Sequence, residues 1–482
     1  MRFILEESYL RMDSIEIKQE VSGVKKNRKK VYKKSLSIRL PKTFLLISSL
    51  VVGVLTGFVG SIFQLSIKWL IIAKEYIATV YLKDELSEWI FLIAFSVISI
   101  LLSVWLVKRY APSAAGSGVQ EVEGVLSNKR MLHWKRIIPV KFFGGILSLS
   151  AGLVMGREGP TIHLGSAIGK MLSLRFRLKP EFTNTLVAAG AGAGLAAAFN
   201  APLAGILFVI EEMRSTFKFS FWAKRCVIIA SISSVVVLRL IVGPNPDITM
   251  TFFSDTPTEY LWVFVIFGSL FGVMGLVFNK CLIYFLDFFS NLKPKTYWVV
   301  VFFVAVGVGV LTKVYPDIIG GGYQLIPQTL RYTIPASILV LIFIMRLGTT
   351  WVSYGLGAPG GIFAPMLALG TTFGVMFGYF INICLPWLDI DPGIFAVAGM
   401  SALFAATVGA PITGIVLVAE MTMNYSLILP LITTCFCATI VSHLLGNHHI
   451  YELLLKRTLA MERKKRDKNI QKYSDSINED DE

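Results

Sequence analysis

Apolar windows of membrane-crossing length recur along the chain, near residues 44–73, 88–107, 136–155, 222–243, 259–289, 297–312, 335–351, 362–385 and 426–445. A hydrocarbon core takes about 20 apolar residues to cross. Between these windows lie shorter apolar stretches, several of them introduced by glycine or proline, that cannot span. The pattern predicts an all-α polytopic membrane protein in which some helices are broken or tilted. Broken helices survive in a bilayer only where they are buried in protein or line a cavity, because their free backbone groups need partners.

The interruptions recur in order. In the first half, Ala115-Gly116-Ser117-Gly118-Val119-Gln120-Glu121 opens a short segment ending near Ser127. Gly156-Arg157-Glu158-Gly159-Pro160 follows, and Asn200-Ala201-Pro202-Leu203-Ala204-Gly205 then begins an apolar helix that ends in Glu211-Glu212-Met213-Arg214. In the second half, Gly320-Gly321-Gly322-Tyr323-Gln324 echoes the first motif (320 − 116 = 204), Gly361-Ile362-Phe363-Ala364-Pro365 the second (361 − 156 = 205) and Ala410-Pro411-Ile412-Thr413-Gly414-Ile415 the third (410 − 201 = 209). Three motifs in one order at nearly one spacing imply an internal duplication. Secondary transporters use such inverted-topology repeats to build a site near the bilayer midplane. The expected organisation is a basic tail over 1–43, repeats over 44–243 and 244–462, and a charged tail over 463–482. The glycine- and alanine-rich run Ala188 to Ala198 suits close helix packing rather than lipid contact.

Composition agrees with a membrane protein: 54% of the 482 residues are hydrophobic and only 16% charged, with a mean hydropathy of +0.66. The net charge of +15 does not point to nucleic acid, because the basic residues gather at the two ends. Lys25, Lys26, Arg28, Lys29, Lys30, Lys33 and Lys34 precede the first window; Arg463, Lys464, Lys465, Arg466 and Lys468 follow the last. The positive-inside rule puts both tails in the cytoplasm and requires an even number of crossings; a lipid or regulatory contact is the other use of such runs. The first 43 residues have no signal-peptide pattern and are expected to stay on the mature protein, with Met12 an alternative start. Cys226, Cys281, Cys384, Cys435 and Cys437 sit in apolar segments without metal-ligand spacing, as small core residues do. No metal, cofactor or nucleotide-binding loop is expected.

Glu158 is the first candidate for chemistry. A carboxylate at bilayer depth costs several kcal/mol unless paired, protonated or facing water, and the flanking glycines let backbone amides come close. Pro160 suits the first turn of a following helix, whose positive end attracts anions. An acidic side chain beside an anion site competes with the anion, and a bound anion raises the carboxylate's proton affinity, so the two bindings become linked. The bland alternative is an ion pair with Arg157. Glu211 and Glu212 end an apolar helix near Arg214, where a solvated helix end is an equal alternative. Glu420 matches Glu211 in the repeat and reads as structural. His163, His448 and His449 lack partners at metal spacing and read as ordinary polar residues.

Gly116-Ser117-Gly118, Gly156-Arg157-Glu158-Gly159-Pro160 and Gly361-Ile362-Phe363-Ala364-Pro365, with Tyr451 in the closing segment, together resemble the CLC family of chloride channels and chloride/proton exchangers, nearest its bacterial exchangers, over roughly residues 44 to 462. One departure is Gln120, where the family motif carries proline. The resemblance implies a homodimer in the cell's inner membrane with an anion pathway in each subunit. It implies that Ser117 and Tyr451 offer hydroxyls to a central chloride and that the amides of Ile362 and Phe363 face it. It makes Glu158 the gating glutamate, Glu212 the internal proton acceptor and Glu123 a possible supporting carboxylate that keeps a shared proton. Ser117 doubles as an N-cap, and an aromatic belt is the alternative for Tyr451.

The function so implied is secondary active exchange of chloride for protons, without enzymatic chemistry. A passive channel of the same family is the alternative, against which Glu212 argues. An intramembrane hydrolase using Ser117 as nucleophile is a remote third, needing a histidine or lysine base against that serine.

Overall fold

The structure, a computed structural model, describes residues 42–82, 84–245, 248, 257–331 and 334–480. Met12 and the N-terminal basic run lie outside them, and of the expected 1–43 tail only Lys42 and Thr43 are described, already within the first helix. Eight α-helices make up the first half of the described chain: α1 (Lys42–Tyr76), α2 (Glu85–Tyr110), α3 (Val119–Leu126), α4 (Trp134–Ser150), α5 (Glu158–Arg175), α6 (Pro180–Phe199), α7 (Pro202–Glu212) and α8 (Phe221–Val242). Eight more follow: α9 (Leu261–Asn291), α10 (Pro294–Val314), α11 (Leu325–Leu330), α12 (Ala336–Gly355), α13 (Phe363–Cys384), α14 (Pro392–Val408), α15 (Pro411–Thr422) and α16 (Ile428–Leu444). A final helix, α17 (Ile450–Asp480), runs through the charged stretch expected as a tail.

Several helices of the first set pack like the helix eight places on. α1 lies against α6 and α8 as α9 lies against α14 and α16; α5 joins α4 to α6 as α13 joins α12 to α14. The duplication also reaches atomic detail. A Cβ on Gly165 would stand 2.1 Å from the Gly190 carbonyl oxygen, and one on Gly370 would stand 2.2 Å from that of Gly399. Backbone-to-backbone contact of this kind needs small residues on both helices.

The two sets are inverted relative to each other. Glu211, at the end of α7, accepts hydrogen bonds from the Ile412 and Thr413 amides that begin α15 (3.2 and 2.7 Å) and from the Thr413 hydroxyl (2.7 Å). Glu420, near the end of α15, accepts from the Leu203 and Ala204 amides that begin α7 (3.1 and 2.8 Å). Equivalent helices thus lie antiparallel, each capping the free N–H groups of the other. On the same pseudo-axis Gly156 and Gly361 exchange both backbone hydrogen bonds, at 2.8 and 2.7 Å. Ser148 donates to the Pro359 carbonyl (2.6 Å), and its counterpart Ser353 (353 − 148 = 205) accepts from the Val154 amide (3.1 Å).

Nine helices among the described residues are long and apolar enough to cross a membrane. Two differences from expectation have physical causes. The window 136–155 stops being helical at Ser150, because the chain turns at Gly152 with φ +104°. Pro180–Phe199 reaches spanning length although its small side chains kept its hydropathy low, and nearly all of it is buried. α1 and the turn after it form 40 helical residues, roughly 60 Å at about 1.5 Å per residue, so it tilts within a hydrocarbon core about 30 Å thick or extends beyond it.

Candidate anion and proton site

The interruptions read from the sequence meet in the middle of the molecule. Gly116 and Gly118 take φ +60° and +91°, a left-handed backbone that glycine adopts without cost, and this turn starts α3 even though Gln120 stands in place of proline. Ser117, between them, is fully buried. Its amide donates to the Tyr354 hydroxyl (3.2 Å), while its own hydroxyl has no hydrogen-bond partner in the protein. Tyr451, on the first turn of α17, is also fully buried with an unpartnered hydroxyl, close enough to sense Ser117. The Tyr451 ring stacks on Phe363 with centroids 5.9 Å apart, and Phe363 opens α13. The amides of Ile362 and Phe363 have no acceptor within that helix, as at any helix start. Two idle buried hydroxyls and a helix N-terminus make a donor-rich pocket suited to a monovalent anion.

Glu158 begins α5 and is fully buried. Its carboxylate accepts a hydrogen bond from the Tyr323 hydroxyl, and Ala364, in the first turn of α13, is a near neighbour. Gly156 makes the room: a Cβ there would fall 2.0 Å from Glu158 Oε2. Gly159 does the same for the serine, since a Cβ on it would fall 2.3 Å from Ser117 Oγ. The acidic side chain therefore sits at the mouth of the helix whose first amides border the hydroxyl pocket.

Glu212, buried at the end of α7, lies beside the buried Glu123 of α3. Two carboxylates buried side by side repel one another, and a proton on either relieves the repulsion, so this pair is a place where a proton can be held. Glu452, on α17 beyond the last span, bears on both; a hydrogen bond from Lys456 holds its carboxyl below the ordinary value. Glu211 is turned away into the cap of α15, and Glu420 into that of α7. His163 is buried against Gly118, where a Cβ would fall 2.4 Å from Nδ1, but neither of its nitrogens nor Ser117 Oγ makes a hydrogen bond. The base that a serine nucleophile needs is not engaged with it.

Three functional-looking residues escaped sequence reasoning. Lys141, fully buried in α4, donates to the carbonyls of Ala114 (3.0 Å) and Gly116 (2.6 Å) and so holds the Ser117 loop. Arg346, fully buried in α12, donates to the carbonyls of Asp317 (2.7 Å), Ile319 (3.1 Å) and Gly320 (2.9 Å) and holds the loop before Tyr323. The two cations are repeat equivalents (346 − 141 = 205), a spacing that could have found them. Tyr323 itself lies in the Gly320-Gly321-Gly322-Tyr323-Gln324 motif, where nothing local marks its hydroxyl as a partner of Glu158.

The sequence profile of the voltage-gated chloride channel family matches residues 99–443, from within α2 nearly to the end of α16. The chain belongs to the voltage-gated chloride channel family. Within this family it is 48% identical over 422 residues to the H+/Cl− exchange transporter ClcA of Vibrio parahaemolyticus, covering 86% of this chain and 90% of that one. To the protein of the same description from Vibrio campbellii it is 47% identical, over 87% of this chain and 91% of the other. Among solved structures of the voltage-gated chloride channel fold, a slow cyanobacterial Cl−/H+ antiporter superposes with a TM-score of 0.84 at 39% identity, over 87% of this chain and 99% of that one. The family profile contains Ser117, Glu123, Glu158, Glu212, Ile362 and Phe363; Tyr451 lies eight residues past its end (451 − 443 = 8).

Proposed function

We propose that this protein exchanges chloride for protons across the membrane as a secondary active transporter. The observation that carries this reading is the carboxylate of Glu158 at the mouth of α13, beside the two unpartnered hydroxyls of Ser117 and Tyr451. Chloride occupies the hydroxyl pocket and the amides of Ile362 and Phe363. Ionised Glu158 occupies the outer part of the same path as a built-in competitor; protonated, it leaves and lets the anion pass. Glu212 takes protons from the cytoplasm and passes them to Glu158, and Glu123 keeps a proton shared with Glu212. The similarity to two ClcA exchange transporters and to the cyanobacterial antiporter supports the same reading.

In this proposal the two repeats cover 44–243 and 244–462. The chain lies in the cell's inner membrane as a homodimer with both termini in the cytoplasm, where the terminal basic residues put them. Reconstituted vesicles test the function directly. An imposed chloride gradient drives protons uphill in an exchanger; chloride flux with no proton movement would make the protein a channel.

A further inference from the structure

The loop Gly320-Gly321-Gly322-Tyr323 is the second repeat's counterpart of the loop that carries Ser117, and the inversion of the repeats brings the two to the pocket from opposite sides. Tyr323 is fixed there by several contacts. Arg346 holds the preceding turn by three carbonyls, and the Gly320 amide donates to the Gly152 carbonyl at 2.9 Å. The Arg157 guanidinium lies 4.6 Å from the centre of the Tyr323 ring, while its Nε donates to the Ala198 carbonyl at 3.2 Å. The Tyr323 hydroxyl then donates to Glu158 Oε1. Two consecutive residues, Arg157 and Glu158, thus hold one ring by its face and by its hydroxyl.

The geometry points to Tyr323 as a latch on Glu158 that holds the ionised side chain in the mouth of α13 and thereby sets the pH at which the gate opens. The inference rests on the gating role proposed for Glu158. A phenol binds a carboxylate through a charge-assisted hydrogen bond and a neutral carboxyl group through a weaker one, so the contact favours the ionised, seated state. The other charged and titratable groups around Glu158 are Arg157 at its side and, deeper along the path, Tyr451 and the Glu212–Glu123 pair. The hydrogen bond to Glu158 Oε1 comes from the Tyr323 hydroxyl, and Arg157 meets Tyr323 through the ring, a contact that a phenylalanine would keep.

Tyr323→Phe removes one oxygen and leaves the ring on Arg157. A hydrogen bond to a charged group corresponds to a shift of about one to two pH units. Chloride flux from vesicles of the full-length protein, measured over a pH series, should therefore turn on at a pH about one unit higher in Tyr323→Phe than in the parent. In a Glu158→Gln background the flux should not depend on pH, and adding Tyr323→Phe should change nothing. If Glu158→Gln abolishes the pH dependence while Tyr323→Phe leaves the midpoint where it was, the latch is wrong and the gate stands. If Glu158→Gln leaves the pH dependence intact, the gate itself is wrong and the latch goes with it. A midpoint shift that persists in the double variant would place the action of Tyr323 on some group other than Glu158 and overturn the latch.

Discussion

Replacing Glu211 with alanine removes three hydrogen bonds at once: the Ile412 and Thr413 amides at 3.2 and 2.7 Å and the Thr413 hydroxyl at 2.7 Å. Hydrogen bonds to charged groups contribute about 1.5–3 kcal/mol each when buried, and a helix cap about 1 kcal/mol. These values describe the same contacts and do not add, and Glu211 is only half-buried, so water replaces part of what is lost. A destabilisation of about 2–3 kcal/mol results for Glu211→Ala, and about 1–2 kcal/mol for Glu420→Ala, which loses two amides. The two caps are separated by roughly the length of α7, about 16 Å for 11 residues at about 1.5 Å each. At that separation effects add to within about 0.5 kcal/mol, so the double variant should lose about 3–5 kcal/mol. Denaturation in detergent micelles followed by tryptophan fluorescence measures all three, with Glu211→Gln as an intermediate that keeps one acceptor oxygen. Both single variants falling within about 0.5 kcal/mol of the parent, the range of an ordinary surface change, would refute the reciprocal caps as a structural tie. Because Glu212 is the next residue, Glu211→Ala should also move fewer protons per chloride.

Three further outcomes are expected. Glu212→Gln should keep chloride flux while gradient-driven proton movement falls to background; continued pumping would remove Glu212 as the internal acceptor. Ser117→Ala and Tyr451→Phe should each weaken chloride binding about tenfold or more, the worth of one hydrogen bond to an ion, as read by calorimetry; unchanged affinity would empty the hydroxyl pocket of its role. Gly165→Ala and Gly370→Ala should each destabilise the protein by about 1–3 kcal/mol or more through overpacking, and by similar amounts in the same denaturation assay, because each new Cβ meets a backbone oxygen at nearly the same distance.

Much of the frame was legible in the chain. The helix starts at Glu158, Pro202, Phe363 and Pro411 fall where glycine and proline interrupt apolar runs, since those residues act on the backbone directly and locally. The boundary between α6 and α7 is equally local: Asn200 takes a left-handed conformation and Pro202 starts the next helix, as Gly409 and Pro411 do in the second half. What was hidden depends on contacts across the fold. Lys141 and Arg346 differ in type and stand in windows that otherwise read as lipid-crossing, so the repeat spacing pairs them but neither hydropathy nor composition marks them. Their use appears only when the loop each one holds is folded back upon it. The caps of Glu211 and Glu420 were likewise out of reach, because each acts on a helix about 200 residues away, although both stand nine residues after a helix-opening proline (211 − 202 = 9 and 420 − 411 = 9). Pro180–Phe199, legible as a closely packed helix, was not legible as a span for a third reason. A helix buried among other helices needs smallness more than hydropathy.

The exchange of backbone bonds between Gly156 and Gly361 has one more consequence. Atoms on a twofold face their own twins, so that junction has no front or back, and a pore made only of such junctions would behave alike from either side of the membrane. The two tips leaving it are not twins. Glu158 and Phe363 stand at matching positions (363 − 158 = 205), an acid on one and a phenyl ring on the other. Direction in this molecule is therefore decided by side chains laid on a frame that is itself indifferent to it.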